Sequence, residues 1–187
     1  MTKYTACICE GGAETAILDL LLDQNKLIFS RDDLLEGEIL KTRKGKDFET
    51  RYLKKDFSGK ITVYRILDSR RENFKISKAY QHKVEVVNVI TAPEIEMLII
   101  CNEGKYQEFE KKKGMSPSEY CKSILKMKNV KSVSFVKEYF SDISVLEKVF
   151  MNIKDYLKCE KVKKQYMICW NQKIIRSKWK DKIVTMT

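Results

Sequence analysis

The stretch Tyr4-Thr5-Ala6-Cys7-Ile8-Cys9-Glu10-Gly11-Gly12-Ala13-Glu14 decides the fold. Tyr4 to Cys9 is short, apolar and β-prone, and it ends abruptly in a carboxylate. Two glycines permit a sharp turn there, and a second carboxylate follows four residues after the first. From Glu14 to Gln24, apolar residues occupy positions 16, 17, 18, 20, 21 and 22. That is too apolar for a surface helix and suits one packed on a sheet. The stretch therefore predicts a buried strand running straight into a helix, the opening of a β–α unit.

Working outward, Leu27-Ile28-Phe29 suggests a second short strand, and a helix is expected around Phe48 to Asp56, stopped by Ser58-Gly59. Ile61 to Leu67 is the clearest strand, β-branched and aromatic, and it ends in Asp68-Ser69-Arg70-Arg71-Glu72. Val84 to Ile90 is another of the same kind. Thr91-Ala92-Pro93 breaks it, and Glu94 to Asn102 is expected to be a buried helix. Beyond residue 115 the spacing turns helical over 118–127, 133–140 and 142–158. Ser116 is a cap with Pro117 in the first turn and Glu119 three residues on, and Asp142 caps the last helix. Strands alternating with helices predict an α/β fold, a central, mostly parallel sheet flanked by helices. The expected division is an α/β core over residues 1–115 and a helical, basic C-terminal extension over 116–187 packed on it.

Composition bounds the class. The chain has 187 residues, 43% hydrophobic and 34% charged, as in a globular domain with a real core. Both prolines, Pro93 and Pro117, lie within the body, and no Pro/Ser/Gly-rich linker marks a boundary. The opening residues carry no secretory pattern. The longest apolar runs, such as Met97 to Cys101, fall far short of the roughly 20 residues that cross a bilayer. No membrane association is expected. The six cysteines (7, 9, 101, 121, 159 and 169) sit mostly inside apolar patterns without a CxxC pair, the usage of reduced, buried thiols in a cytoplasmic protein. Net charge is +11, and from Tyr156 to Thr187 nine basic residues face two acidic ones. Such a field attracts phosphate backbones. The chain has one histidine, His82 in a polar stretch, which gives little support to Ser/His/Asp chemistry, and no Gly-x-x-x-x-Gly-Lys run of a P-loop occurs.

The chemistry points to Glu10 and Asp68. Both follow an apolar strand directly, and ligands of open parallel sheets bind beyond the strand C-termini. Mg²⁺ prefers oxygen ligands and is held by one or two carboxylates together with water and substrate phosphate. Carboxylates brought from separate strand ends make such a site, with Glu14 close behind in the first helical turn. Arg70 and Arg71 stand where they would neutralise charge on a phosphate. The run Lys41-Thr42-Arg43-Lys44-Gly45-Lys46 is either a solvated loop or a backbone contact. The basic tail, including Lys163 and Lys164, offers further contacts.

An apolar strand, Glu-Gly-x-x-Glu and a later strand ending in an acidic turn together resemble the Toprim superfamily of topoisomerases, primases, OLD-type nucleases and RloB-like proteins. Ile8-Cys9-Glu10-Gly11-Gly12-Ala13-Glu14 is similar to its first motif, and Asp68 to the first acid of its Asp-x-Asp motif. Thr91-Ala92-Pro93-Glu94-Ile95-Glu96 is similar to the RloB-like stretch that pairs a Pro with a Glu three residues later, here Pro93 and Glu96. The resemblance spans about residues 4–110. It implies a Toprim-like fold and a nuclease dependent on Mg²⁺ (or Mn²⁺). Such an enzyme acts on DNA or RNA, often as the effector of an anti-phage or toxin system beside an ATPase partner subunit. Glu10, Asp68, Glu72 and Glu96 would surround the metal, with Glu14 beside them. The departure is Arg70, which stands where the family has its second acid. A guanidinium cannot ligate Mg²⁺. Either Glu72 takes its place, or fewer groups hold the metal, or the domain binds nucleic acid or a partner subunit without catalysis.

Overall fold

The computed structural model describes residues 3–54, 59–67, 74–91 and 94–156. Three strands form one sheet: β1 (Lys3–Cys9), β2 (Lys60–Leu67) and β3 (Val84–Ile90), in that order. Both pairings are parallel. Lys3 lies opposite Lys60 and Cys9 opposite Ile66, while Ile61 lies opposite Val84 and Leu67 opposite Ile90. The α/β class and the parallel sheet expected from the sequence are thus observed.

Side-chain alternation divides the core in two. Cys7 and Cys9 of β1, Ile66 of β2 and Val89 of β3 point into the larger cluster, and Tyr64 packs against it. That side is covered by α1 (Gly12–Asp23), α3 (Ile95–Asn102), α5 (Pro117–Ser123), α6 (Val133–Tyr139) and α7 (Ile143–Tyr156). Ala6, Ile8, Ile61 and Val63 point the other way, onto Leu40, Phe48, Tyr52 and Leu53. The helix on this side is short: α2 (Gly45–Phe48) passes directly into a π-helical turn over Glu49–Leu53. A short helix, α4 (Tyr106–Glu110), links α3 to α5.

Residues 116–156 join the same core as the first β–α unit. Tyr120, Val136, Phe140 and Leu146 are fully buried in one cluster with Ile17 and Leu18. Residues 157–187 lie outside the described residues. The caps form as the sequence predicts. Ser116 accepts a hydrogen bond from the Glu119 N–H, and Asp142 from the Ser144 N–H. Ser132 similarly caps α6 through the Phe135 N–H.

Leu27-Ile28-Phe29 is not a strand. Only Leu27 makes a bridge, Ile28 is exposed, and Leu27 and Phe29 enter the core as a loop in which Phe29 stacks on Tyr64 at 5.2 Å. The open edge of β1 is instead met by residues 33–40. The Thr5 N–H donates to the Asp33 carbonyl, and Leu40 bridges Cys7 and Cys9 in the parallel sense. Apolar content alone does not distinguish a strand from a loop that buries the same side chains.

The described cysteines, Cys7, Cys9, Cys101 and Cys121, are free and buried. Burial pushes Cys101 up to about 12 and Cys121 up to about 11. Two predictions follow from this packing. Alkylation of the native protein at pH 8 should leave these four thiols unmodified, as read by peptide mass mapping, and unfolding should expose all four. Leu98→Ala, at a site with no exposed surface in the middle of α3, should lower stability by about 3 kcal/mol in urea unfolding.

Candidate active site at the carboxyl rim of the sheet

Glu10 is the first residue past β1, at the rim where the parallel strands end. Ile8, its neighbour two residues back, faces the side of the sheet that carries Arg65, and Ile8 lies opposite Arg65 in the register. Arg65 is the unexpected member of β2. It is only 2% exposed, within a strand that is otherwise mostly apolar. A buried guanidinium needs compensation. Its Nη2 stands 3.8 Å from Glu10 Oε1, its Nη1 donates to Asn88 Oδ1 at 3.3 Å, and its Cζ lies over the Phe74 ring, 4.9 Å from the ring centre. The contact with Glu10 is an ion pair too long for a direct hydrogen bond. Glu10 itself is largely buried, with 13% of its side chain exposed.

The basic run 41–46 reaches the same rim. Arg43 Nη2 donates to the backbone carbonyl of Glu10, and Lys41, Lys44 and Lys46 are exposed around it. Gly45, between the two lysines, is required by a close approach. A Cβ there would come within 2.1 Å of the Lys75 carbonyl oxygen, a backbone atom that cannot swing aside. Gly45→Ala should therefore lower stability by about 2 kcal/mol in thermal or urea unfolding.

Glu14 sits in the first turn of α1, with its carboxylate folded back over Gly11. A Cβ on Gly11 would meet Glu14 Oε2 at 2.0 Å. The sequence spacing thus brings Glu10 and Glu14 to one turn. Asp68, Arg70, Arg71, Glu72, Pro93, Lys163 and Lys164 lie outside the described residues. The chain leaves β2 at Leu67, one residue past the Cys9–Ile66 pair, and Asp68 is the next residue in the chain. Glu72 follows four residues later.

Glu96 is in a different setting, in the first turn of α3 and 2% exposed. Its Oε1 pairs with Lys131 Nζ at 3.0 Å, while its buried Oε2 has no hydrogen-bond partner. Lys131 is held above the ordinary lysine value by its bond to Glu96 and by the charges of Glu94 and Glu14. Lys131, which sequence reading passed over, is therefore the point where Glu14, Glu94 and Glu96 act together. Neither Lys131 nor Arg65 leaves a trace in a motif. Arg65 was legible only as a charge inside an apolar strand.

A Mg²⁺ site asks for one or two carboxylates, with water and phosphate completing the shell. Among the described residues, no three His, Cys, Asp or Glu side chains gather into a metal cage. Glu10 and Glu14 supply oxygen donors at the β1–α1 turn, so a full set rests on the acids after β2. Among the described residues, no helix is long and apolar enough to cross a membrane.

Comparisons with protein-family models, curated proteins and solved structures gave no match. The functional reading accordingly rests on the geometry of the rim and on the motifs.

The Glu96–Lys131 pair generates a stability prediction. Lys131→Met strands a buried carboxylate and should cost about 2 kcal/mol. Adding Glu96→Gln should restore much of the loss. Because the folded-state value of Lys131 is raised, its contribution is present throughout neutral pH. It is lost only as pH rises past the ordinary lysine value and through the raised one. Urea unfolding of the wild type and the two variants at pH 7 and pH 11 checks both statements.

Proposed function

We propose that the chain is a Toprim-like nuclease that cleaves phosphodiester bonds of DNA or RNA with Mg²⁺ or Mn²⁺, as a cytoplasmic effector of a defence or toxin system beside an ATPase partner. The observation that carries this reading is the register. Cys9 lies opposite Ile66 in neighbouring parallel strands, and chain order puts Glu10 and Asp68 within two residues of that pair. Two acids following adjacent strand ends match the carboxylate count of a Mg²⁺ site.

When bound, the metal would polarise a phosphoryl oxygen and lower the pKa of a water. Glu10 and Asp68 would hold it, with Glu14 and Glu72 as further acids, while Glu96 would act from its own setting beside Lys131. Lys44 and Lys46 lie on the exposed run that Arg43 anchors to Glu10, a position suited to gripping the phosphate backbone. Arg70 and Arg71 would neutralise charge that builds on the phosphate.

A second reading is favoured by one specific feature. Arg65 already sits against Glu10 from below, and Arg70 occupies the place of the family's second acid. Under that reading the domain binds nucleic acid or a partner subunit and does no chemistry.

Cleavage of a labelled panel of single- and double-stranded DNA and RNA in Mg²⁺ or Mn²⁺ separates the two. The nuclease reading expects Glu10→Gln and Asp68→Asn each to lower the rate on the order of 10²-fold or more. Cleavage by both variants at the wild-type rate sinks it.

A further inference from the structure

The end of α5 and the loop between α5 and α6 frame an open cavity of about 530 Å³. It is lined by Lys122, Lys128 and Lys131, by Ser118 and Asn129, and by the apolar Met127 and Val130. Among the described residues, no acidic residue lines it. Elsewhere on the surface lysines find carboxylates: Lys26 with Glu147, Lys105 with Glu108, Lys137 with Asp19. Among the described residues, Lys122 and Lys128 have no such ion pair, and both are exposed. Like charges left together without counter-charge cost free energy, which a bound polyanion would recover.

The loop is held in its shape. Lys126 and Asn129 adopt left-handed backbone angles, with φ of 60° and 56°. The Met127 N–H is fixed to the Cys121 carbonyl at 2.9 Å, and the Ser132 N–H to the Asn129 carbonyl at 2.8 Å. A left-handed lysine is strained by about 1–2 kcal/mol and persists only where its surroundings impose it.

The groove also borders the rim. Its last wall, Lys131, pairs with Glu96, and its charge interacts with Glu14. Two residues on, Val133 packs so closely on the start of α1 that a Cβ on Gly12 would lie 3.1 Å from its Cγ2.

We propose that this lysine groove binds the phosphate backbone of a polynucleotide and leads it to the β1–α1 turn. Lysines are point charges on flexible stems and contact phosphates without reading bases, so the groove is expected to be indifferent to sequence. The open shape favours a continuous chain over an enclosed small anion. The proposal deepens the nuclease reading by giving it a substrate path, and it rests on that reading for the path's purpose. The binding itself is measured apart from catalysis.

The experiment is fluorescence anisotropy of a labelled 20-nucleotide single-stranded DNA in EDTA, across a salt series. Variants are Lys122→Gln/Lys128→Gln, Ser118→Glu and a control, Lys60→Gln/Lys78→Gln, at the opposite end of the strands. Ser118→Glu puts a negative charge into the groove in the first turn of α5, where it favours the helix, so its folding is not at issue. The double glutamine variant should bind about tenfold more weakly. It should also lose about 1.4 from the slope of log K against log salt, two phosphate contacts at roughly 0.7 each. Ser118→Glu should weaken binding, and the control should match wild type. Wild-type affinity in both groove variants, or an equal loss in the control, overturns the proposal. So does displacement of the DNA by inorganic triphosphate at matched phosphate concentration, which would make this a small-anion site. Intact binding with no cleavage under Mg²⁺ would count against the nuclease reading alone.

Discussion

The parallel pairing of β1 with β2 is the constraint on which the rest depends. Parallel strands place their carboxyl ends at the same edge, and seven consecutive partners from Lys3–Lys60 to Cys9–Ile66 set the register without a slip. A shift of one residue would send Cys7 and Cys9 to the face now held by Ala6 and Ile8. The two faces differ sharply. One meets five helices and the other a short helical turn, so the register is fixed by what each face must bury. From this pairing follow the position of Glu10, the burial of Arg65 beside it and the nearness of the two strand ends.

Electrostatics at the rim are organised by cations reached from different elements. Arg65 approaches Glu10 from within the sheet, and Arg43 approaches its backbone from the loop before α2. Lys131 pairs with Glu96, and the charges of Glu94 and Glu14 also act on it. The acids that family resemblance groups together are therefore divided between two surroundings, one arginine-rich and one centred on a lysine. Glu96, nearly without exposure, is paired with Lys131, which ties it to the α5–α6 loop.

Much of this was legible in the sequence where a single physical rule decides. Ile61 to Leu67 reads as a strand because β-branched and aromatic residues fill it. Ser116 and Asp142 cap helices because a short side-chain oxygen satisfies an open N–H. The reading failed where burial and backbone form part company. Leu27 and Phe29 are buried on a loop, so their apolarity mimics a strand. Arg65 was hidden because no local pattern tells a buried, compensated arginine from an exposed one. Asn88, which accepts its hydrogen bond, arrives from the next strand, and Phe74 from the connection between β2 and β3. Lys131 was hidden in a lysine-rich chain for the same reason, since only the fold reveals which lysine meets a buried acid.

The central claim is that Glu10 and Asp68 serve one cation. Mn²⁺ binding tests it most directly, followed by the paramagnetic signal of the free ion in wild type, Glu10→Gln, Asp68→Asn and the double variant. If both acids hold the same ion, each single substitution should lose nearly as much affinity as the double, a strongly non-additive cycle. Wild-type affinity in either single variant, or losses that simply add, would contradict the account.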